Sequence, residues 1–199
     1  MRKEDEKMNK KRVTGVVVLA IATIITAIIA YAIGIDPPMT NVFGAFGSIL
    51  AVVIATKIIK VEDDLFFIAL AFVFMASPMG SILDLYRSWG PYDKIVHLFS
   101  GALLAAFGLL IIKLLLQKYS KVDVAHMSMF AIPIVFAAVM FSSGCAGIWE
   151  IFEFAADRLA GGGMQRGMVD TITDMIAGNV GALIYGIVFI IRNKKETVK

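Results

Sequence analysis

Six long apolar blocks joined by short polar links leave this chain little choice of fold. A bilayer core about 30 Å thick is crossed by a helix of ~20 apolar residues, because hydrocarbon offers no partner for an unsatisfied peptide group. The blocks run roughly from Val13 to Ile35, Met39 to Ile59, Leu65 to Leu83, Asp93 to Ile112, Met127 to Phe154 and Asp170 to Ile191. A mean hydropathy of +0.82 belongs to an integral membrane protein, not to a soluble amphipathic core. The expected architecture is all-α, a polytopic bundle of about six transmembrane helices. It forms a single domain over residues 13–191, between basic tails at 1–12 and 192–199.

The first block follows a basic stretch, as in a signal peptide. Its apolar run is longer than the usual 7–15 residues and lacks a small-residue cleavage site, so it is expected to stay as the first helix. Cys145 is the only cysteine, which excludes an intramolecular disulfide and a thiolate metal cluster and suits a packing residue. No phosphate-loop spacing, internal repeat or low-complexity tract is present.

All but four of the nineteen Lys and Arg lie in the two tails, around Lys57 and Lys60, or between Lys113 and Lys121. The positive-inside rule makes those parts and both termini cytoplasmic. Arg87, Lys94, Arg158 and Arg166 remain for the opposite side, with Tyr86, Trp89, Tyr92 and Trp149 at the level of an aromatic belt. Basic inner loops facing anionic lipid account for a pI near 9.0, and no nucleic-acid partner is needed. The Asp36-Pro37-Pro38 run ends a helix and marks an outer hairpin. Glu62, Asp63 and Asp64 suit a helix N-terminus, and Pro78 predicts a kink or unwound turn in the third span.

Eight of the sixteen acids fall on the outer side: Asp36, Asp84, Asp93, Glu150, Glu153, Asp157, Asp170 and Asp174. Carboxylates at the ends of several spans usually pair, bind a cation or do chemistry. Asp93 and His97 stand i to i+4 above Gly101, Ala105 and Gly108; Glu150 and Glu153 stand i to i+3 beyond Ser143 and Gly147. Asp170 and Asp174 stand i to i+4 above Ala177 and Gly181. Helices meeting along such small-residue stripes would gather the polar pairs.

The candidate metal set is therefore Asp93, His97, Glu150, Glu153, Asp170 and Asp174, for a divalent ion of undetermined identity. Glu150, Asp174 and His97 are the candidate catalytic groups, with Arg166 and Lys94 to hold an anionic head. Each pair also has a plain reading. Asp93 and Asp170 can cap helix amides, His97 can be a satisfied buried donor, and the acids can form a structural network with Arg87, Lys94 and Arg166. Glu150 and Glu153 end a helix, where the dipole opposes negative charge and explains neither. The Gly161-to-Gly167 link reads as a flexible turn or a lid, Asn179 as a hydrogen-bonding residue on another face of its helix, and His126 as incidental.

Asp93-Lys94-x-x-His97, Glu150, and Arg166-x-x-x-Asp170-x-x-x-Asp174 with Asn179 and Gly181 resemble the pattern of VanZ-like membrane proteins. Trp149-Glu150 with Asp170-Thr171-x-x-Asp174-Met175 is similar to a related group of bacterial inner-membrane proteins, the YjdF-like family. VanZ-like chains commonly carry Gln three residues after the glutamate, where Glu153 stands here, which favours the second group. The resemblance spans the last 110 residues or so and implies a small multi-pass protein of the bacterial inner or plasma membrane. In one case such proteins are linked to glycopeptide-antibiotic resistance.

The leading functional expectation is an enzyme that hydrolyses, or transfers groups on, a lipid-linked or envelope substrate at the outer leaflet. No Ser, Thr or Cys nucleophile stands beside His97, so water is the expected attacking group. The alternatives are a cation-coupled transporter and a non-catalytic membrane partner with a structural charge network. The mainly apolar inner halves of spans four to six count against a through-path.

Overall fold

The computed structural model describes residues 2–120, 131–161 and 163–197, with side chains described from residue 9 to residue 193 except 120 and 160 in those ranges. The described residues form helices and connecting turns, with no strand. Six helices are long and apolar enough to cross a membrane: Asn9–Ala32, Met39–Ile59, Asp63–Ile82, Pro91–Tyr119, Ala131–Leu159 and Met168–Asn193. In chain order the helices are α1 (Arg2–Ala32), α2 (Met39–Ile59), α3 (Asp63–Phe74), α4 (Leu85–Ser88), α5 (Pro91–Ser120), α6 (Ala131–Ala160) and α7 (Met168–Thr197). A π-helical stretch, Met75–Ile82, continues α3. The expected start of the fifth span at Met127 lies outside the described residues, as do His126, Lys121 and Gly162.

The chain divides into two compact units, Met1–Val96 and His97–Lys199. In the first, α1, α2 and α3 enclose Leu19, Ile49, Phe66, Leu70 and Val73, and a second cluster joins Ala30, Ala45 and Ile82. α1 extends N-terminally beyond the apolar block and stops at Ala32, where Gly34 takes φ 84 and donates to the Tyr31 carbonyl. A left-handed glycine just past the last turn closes a helix without a Cβ penalty. At the start of α3 the acids are partly spoken for: Arg12 Nε donates to Asp63 at 2.6 Å, and its Nη2 donates to the Val61 carbonyl at 2.6 Å.

Pro78 produces π-helical widening. It lacks an N–H, and the Leu83 N–H reaches the Pro78 carbonyl at 3.0 Å, a five-residue step. Carbonyls in this stretch find donors from outside it: the Tyr92 hydroxyl donates to Met75 at 2.7 Å and the Asn41 amide to Ser81 at 2.9 Å. Irregular backbone at membrane depth persists when neighbours satisfy it in this way.

In the second unit α6 runs antiparallel to both α5 and α7. Ala105, Val135, Val139 and Ala182 form one apolar cluster, and Leu109, Ile134 and Ala138 another. Above them the small residues bring backbones together. A Cβ at Gly101 would collide with the Gly178 carbonyl oxygen, and one at Gly181 with the Leu98 carbonyl oxygen. Gly108 seats the Phe141 ring in the same manner. Close approach of this kind is what holds helices together in lipid, where hydrophobic burial between them gains little.

Candidate functional site

The close packing of α5 and α7 fixes the positions of the polar side chains one turn above Gly101 and Gly178. His97 Nε2 lies 3.8 Å from Asp174 Oδ1, with the side chains only 12% and 2% exposed. Glu150, near the C-terminal end of α6, is 5% exposed, and His97, Asp170 and Asp174 all bear on it electrostatically. The Thr171 hydroxyl stands near Glu150. Even so, neither carboxylate oxygen of Glu150 has a partner in hydrogen-bonding geometry among the described residues. A buried acceptor pair in that condition is rare and costly, and calls for an explanation.

Asp170, in the first turn of α7, is held by Arg166 Nε at 3.2 Å, and Gln165 Nε2 donates to Thr171 Oγ1 at 3.1 Å. The link that carries Gln165 and Arg166 is tied down by Asp157. Its Oδ1 accepts from the amides of Gly163 (2.8 Å) and Met164 (2.9 Å), and its Oδ2 accepts from that of Gln165 (2.8 Å). The link's described part is therefore an anchored turn. Below the acids, Ser143 donates to the Asn179 side-chain oxygen, and Asn179 Nδ2 donates to the Met175 carbonyl at 2.8 Å. Ser142 donates to the Gly101 carbonyl at 2.9 Å.

Four of the residues singled out in the sequence, His97, Glu150, Asp170 and Asp174, thus gather in the second unit. Glu153 is engaged on the exposed flank of α6, where Trp149 Nε1 donates to it at 2.8 Å. In the first unit Asp93 is buried and meets Lys94 Nζ at 3.4 Å. α5 runs unbroken from Pro91, and its own register puts Asp93 one turn before His97 on the same face. Within the second unit His97 and Asp174 are a buried imidazole–carboxylate pair, side chains of the kinds that can hold a metal ion. Cys145 is a partly buried free thiol in α6.

Sequence spacing missed the roles of Thr171, Asp157, Ser142 and Gly178. An aspartate at the end of a helix, followed by glycines whose amides need acceptors, is the signal that finds Asp157. Gly178 lies i+4 from Asp174 and so continues its face more directly than Ala177 does.

The helices and the buried acid–histidine cluster define a multi-pass α-helical membrane protein with a polar centre at one end of its second unit. The chain belongs to the family described as "Predicted membrane protein (DUF2238)", whose profile matches residues 13–195. It is also 30% identical over 124 residues to an uncharacterized protein of Thermotoga maritima, covering 62% of this chain and 59% of that one. The chain thus matches less than two thirds of that relative's length. No solved structure matches it.

Proposed function

We propose that this protein is an enzyme that hydrolyses, or transfers a group from, a lipid-linked or envelope substrate at the outer face of the cell membrane. The observation that carries the reading is Glu150: a buried carboxylate whose two oxygens have no partner in hydrogen-bonding geometry among the described residues, and on which a histidine and two aspartates bear electrostatically. Such a group is suited to accept a proton from a water that enters with the substrate. In the hydrolytic form, water gives a proton to Glu150 or Asp174 while its oxygen bonds to the electrophilic centre. The bond to the leaving oxygen breaks, and His97 passes that oxygen a proton. Arg166, now paired with Asp170, would exchange part of that pairing for an anionic headgroup, and Lys94 is the other cation that the sequence offers for the same task.

The distribution of Lys and Arg supports placing both termini in the cytoplasm and this centre near the outer leaflet. There a polar head can enter while acyl chains stay in lipid. The resemblance to VanZ-like and YjdF-like proteins supports a bacterial inner or plasma membrane. Membrane lipids are the expected surroundings, and no nucleic acid is invoked.

One observation favours a cation-coupled transporter: Ser143 and Asn179 continue the polar track two turns below Glu150. Ala105, Val135, Val139 and Ala182 then close it with apolar side chains, which favours an enzyme over a through-path. The ion pairs of Arg166 and Lys94 are what a purely structural network would also show. The test is head-group release from a panel of lipid-linked phosphates and envelope precursors by purified protein. Turnover lost in Glu150→Gln supports the enzyme. Full biological function in Glu150→Gln, His97→Ala and Asp174→Asn, with additive losses of stability, would contradict it.

A further inference from the structure

Lys10, Lys11, Thr14, Gly15 and Val18 of α1 and Phe67 of α3 line an open groove of about 460 Å³ within the first unit. The membrane-spanning part of α1 starts at Asn9, so both lysines stand in its first turn, with Gly15 and Val18 one and two turns deeper. From Lys10 to Val18 is about 12 Å along the helix, enough to pass from a headgroup layer of roughly 5–7 Å into hydrocarbon. Gly15 shapes the floor. A Cβ there would stand 2.7 Å from Phe67 Cε1, so the missing side chain lets the ring lie against α1. Arg12 is committed elsewhere, to Asp63 and to the Val61 carbonyl, and the Thr14 hydroxyl donates to the Lys10 carbonyl at 2.9 Å. The cationic groups on the rim are the two exposed lysines, and the exposed acids Glu62 and Asp64 at the start of α3 do not line the groove.

We infer that this groove binds one anionic phospholipid, with its phosphate at Lys10 and Lys11 and an acyl chain over Gly15, Val18 and Phe67. Charge complementarity selects the occupant. Two ammonium groups stand above an apolar trough, at the end of the bundle that the positive-inside rule turns toward the anionic cytoplasmic leaflet. A soluble anion would leave the trough uncovered, and a lipid without net charge would leave the lysines without a counter-charge. Lysine is a point charge on a flexible stem, so the groove reads the net charge of the head and not its shape. Thr14, turned to its own helix, adds no shape selection. The inference concerns the first unit alone and is independent of the chemistry that the second unit performs.

The experiment titrates full-length protein in mild detergent with phosphatidylglycerol and with phosphatidylcholine of the same acyl chains, and counts the lipids retained per chain by native mass spectrometry. The expected result is one tightly retained phosphatidylglycerol, preferred roughly tenfold or more over phosphatidylcholine, since each lysine near anionic lipid contributes about fivefold. Lys10→Gln combined with Lys11→Gln should remove most of that preference, and Val18→Trp, which fills the trough, should lower retention of both lipids. Lys113→Gln combined with Lys118→Gln, an equally basic pair that does not line the groove, should leave the preference unchanged. Excess glycerol phosphate should displace nothing. Both groove lysines are exposed, and gel-filtration profiles matching wild type show that a loss is one of binding. Equal retention of the two lipids by wild-type protein overturns the site, as does a preference that survives loss of Lys10 and Lys11. An equal loss on removing Lys113 and Lys118, or displacement by glycerol phosphate, overturns it too.

Discussion

The Ser142 hydroxyl of α6 donates to the Gly101 carbonyl of α5 at 2.9 Å, at the level where Gly101 itself abuts the carbonyl of Gly178 on α7. Three helices are locked in register at that level, and the polar centre sits one turn above it. Gly101→Ala and Gly181→Ala both drive a methyl into backbone. Each should destabilise the protein by about 1–3 kcal/mol or more, the usual range for overpacking. Gly44→Ala on α2, where a Cβ meets nothing within 4 Å, should be neutral. Thermal unfolding in detergent checks all three, and equal tolerance would remove the geometric basis for the gathered acids.

Asp157 is predicted to set the order of the link before α7. Asp157→Ala leaves three amides without their acceptor, at about 1–3 kcal/mol for each group left unsatisfied away from water and less where solvent replaces it. Hydrogen exchange at residues 163–165 should speed up strongly while that of α5 stays unchanged.

Topology has a direct check. In a Cys145→Ala background, a cysteine at exposed Met164 should react with an impermeant thiol reagent in intact cells, and one at exposed Lys118 should not. The opposite pattern would place the centre on the cytoplasmic side.

His97→Ala, Glu150→Gln and Asp174→Asn should each abolish biological function while leaving membrane insertion intact, and their pairs should be no worse than the singles. Groups acting in one site lose function together and non-additively.

Most of the fold was legible in the apolar blocks, because hydrocarbon dictates helix length so strongly. The 30-residue reach of α5 was not, since its last turns past Ile112 carry Lys113 and Lys118 and end the apolar run before the helix ends. Pro78 announced irregularity, but its π-helical form depends on Tyr92 and Asn41 arriving as donors. Within the site, i to i+4 spacing found His97, Asp170 and Asp174, because it reports which side of one helix a residue occupies. It does not report rotation between helices, and so could not show that Trp149 engages Glu153 while Glu150 stays bare.

The central claim, that Glu150 is kept for function and not for packing, is tested most directly by measuring the thermal midpoint and the biological activity of one variant, Glu150→Gln. A carboxylate without a hydrogen-bond partner gives the fold nothing that its isosteric amide lacks, so the midpoint should hold or rise while activity disappears. A lowered midpoint with activity retained would contradict the account.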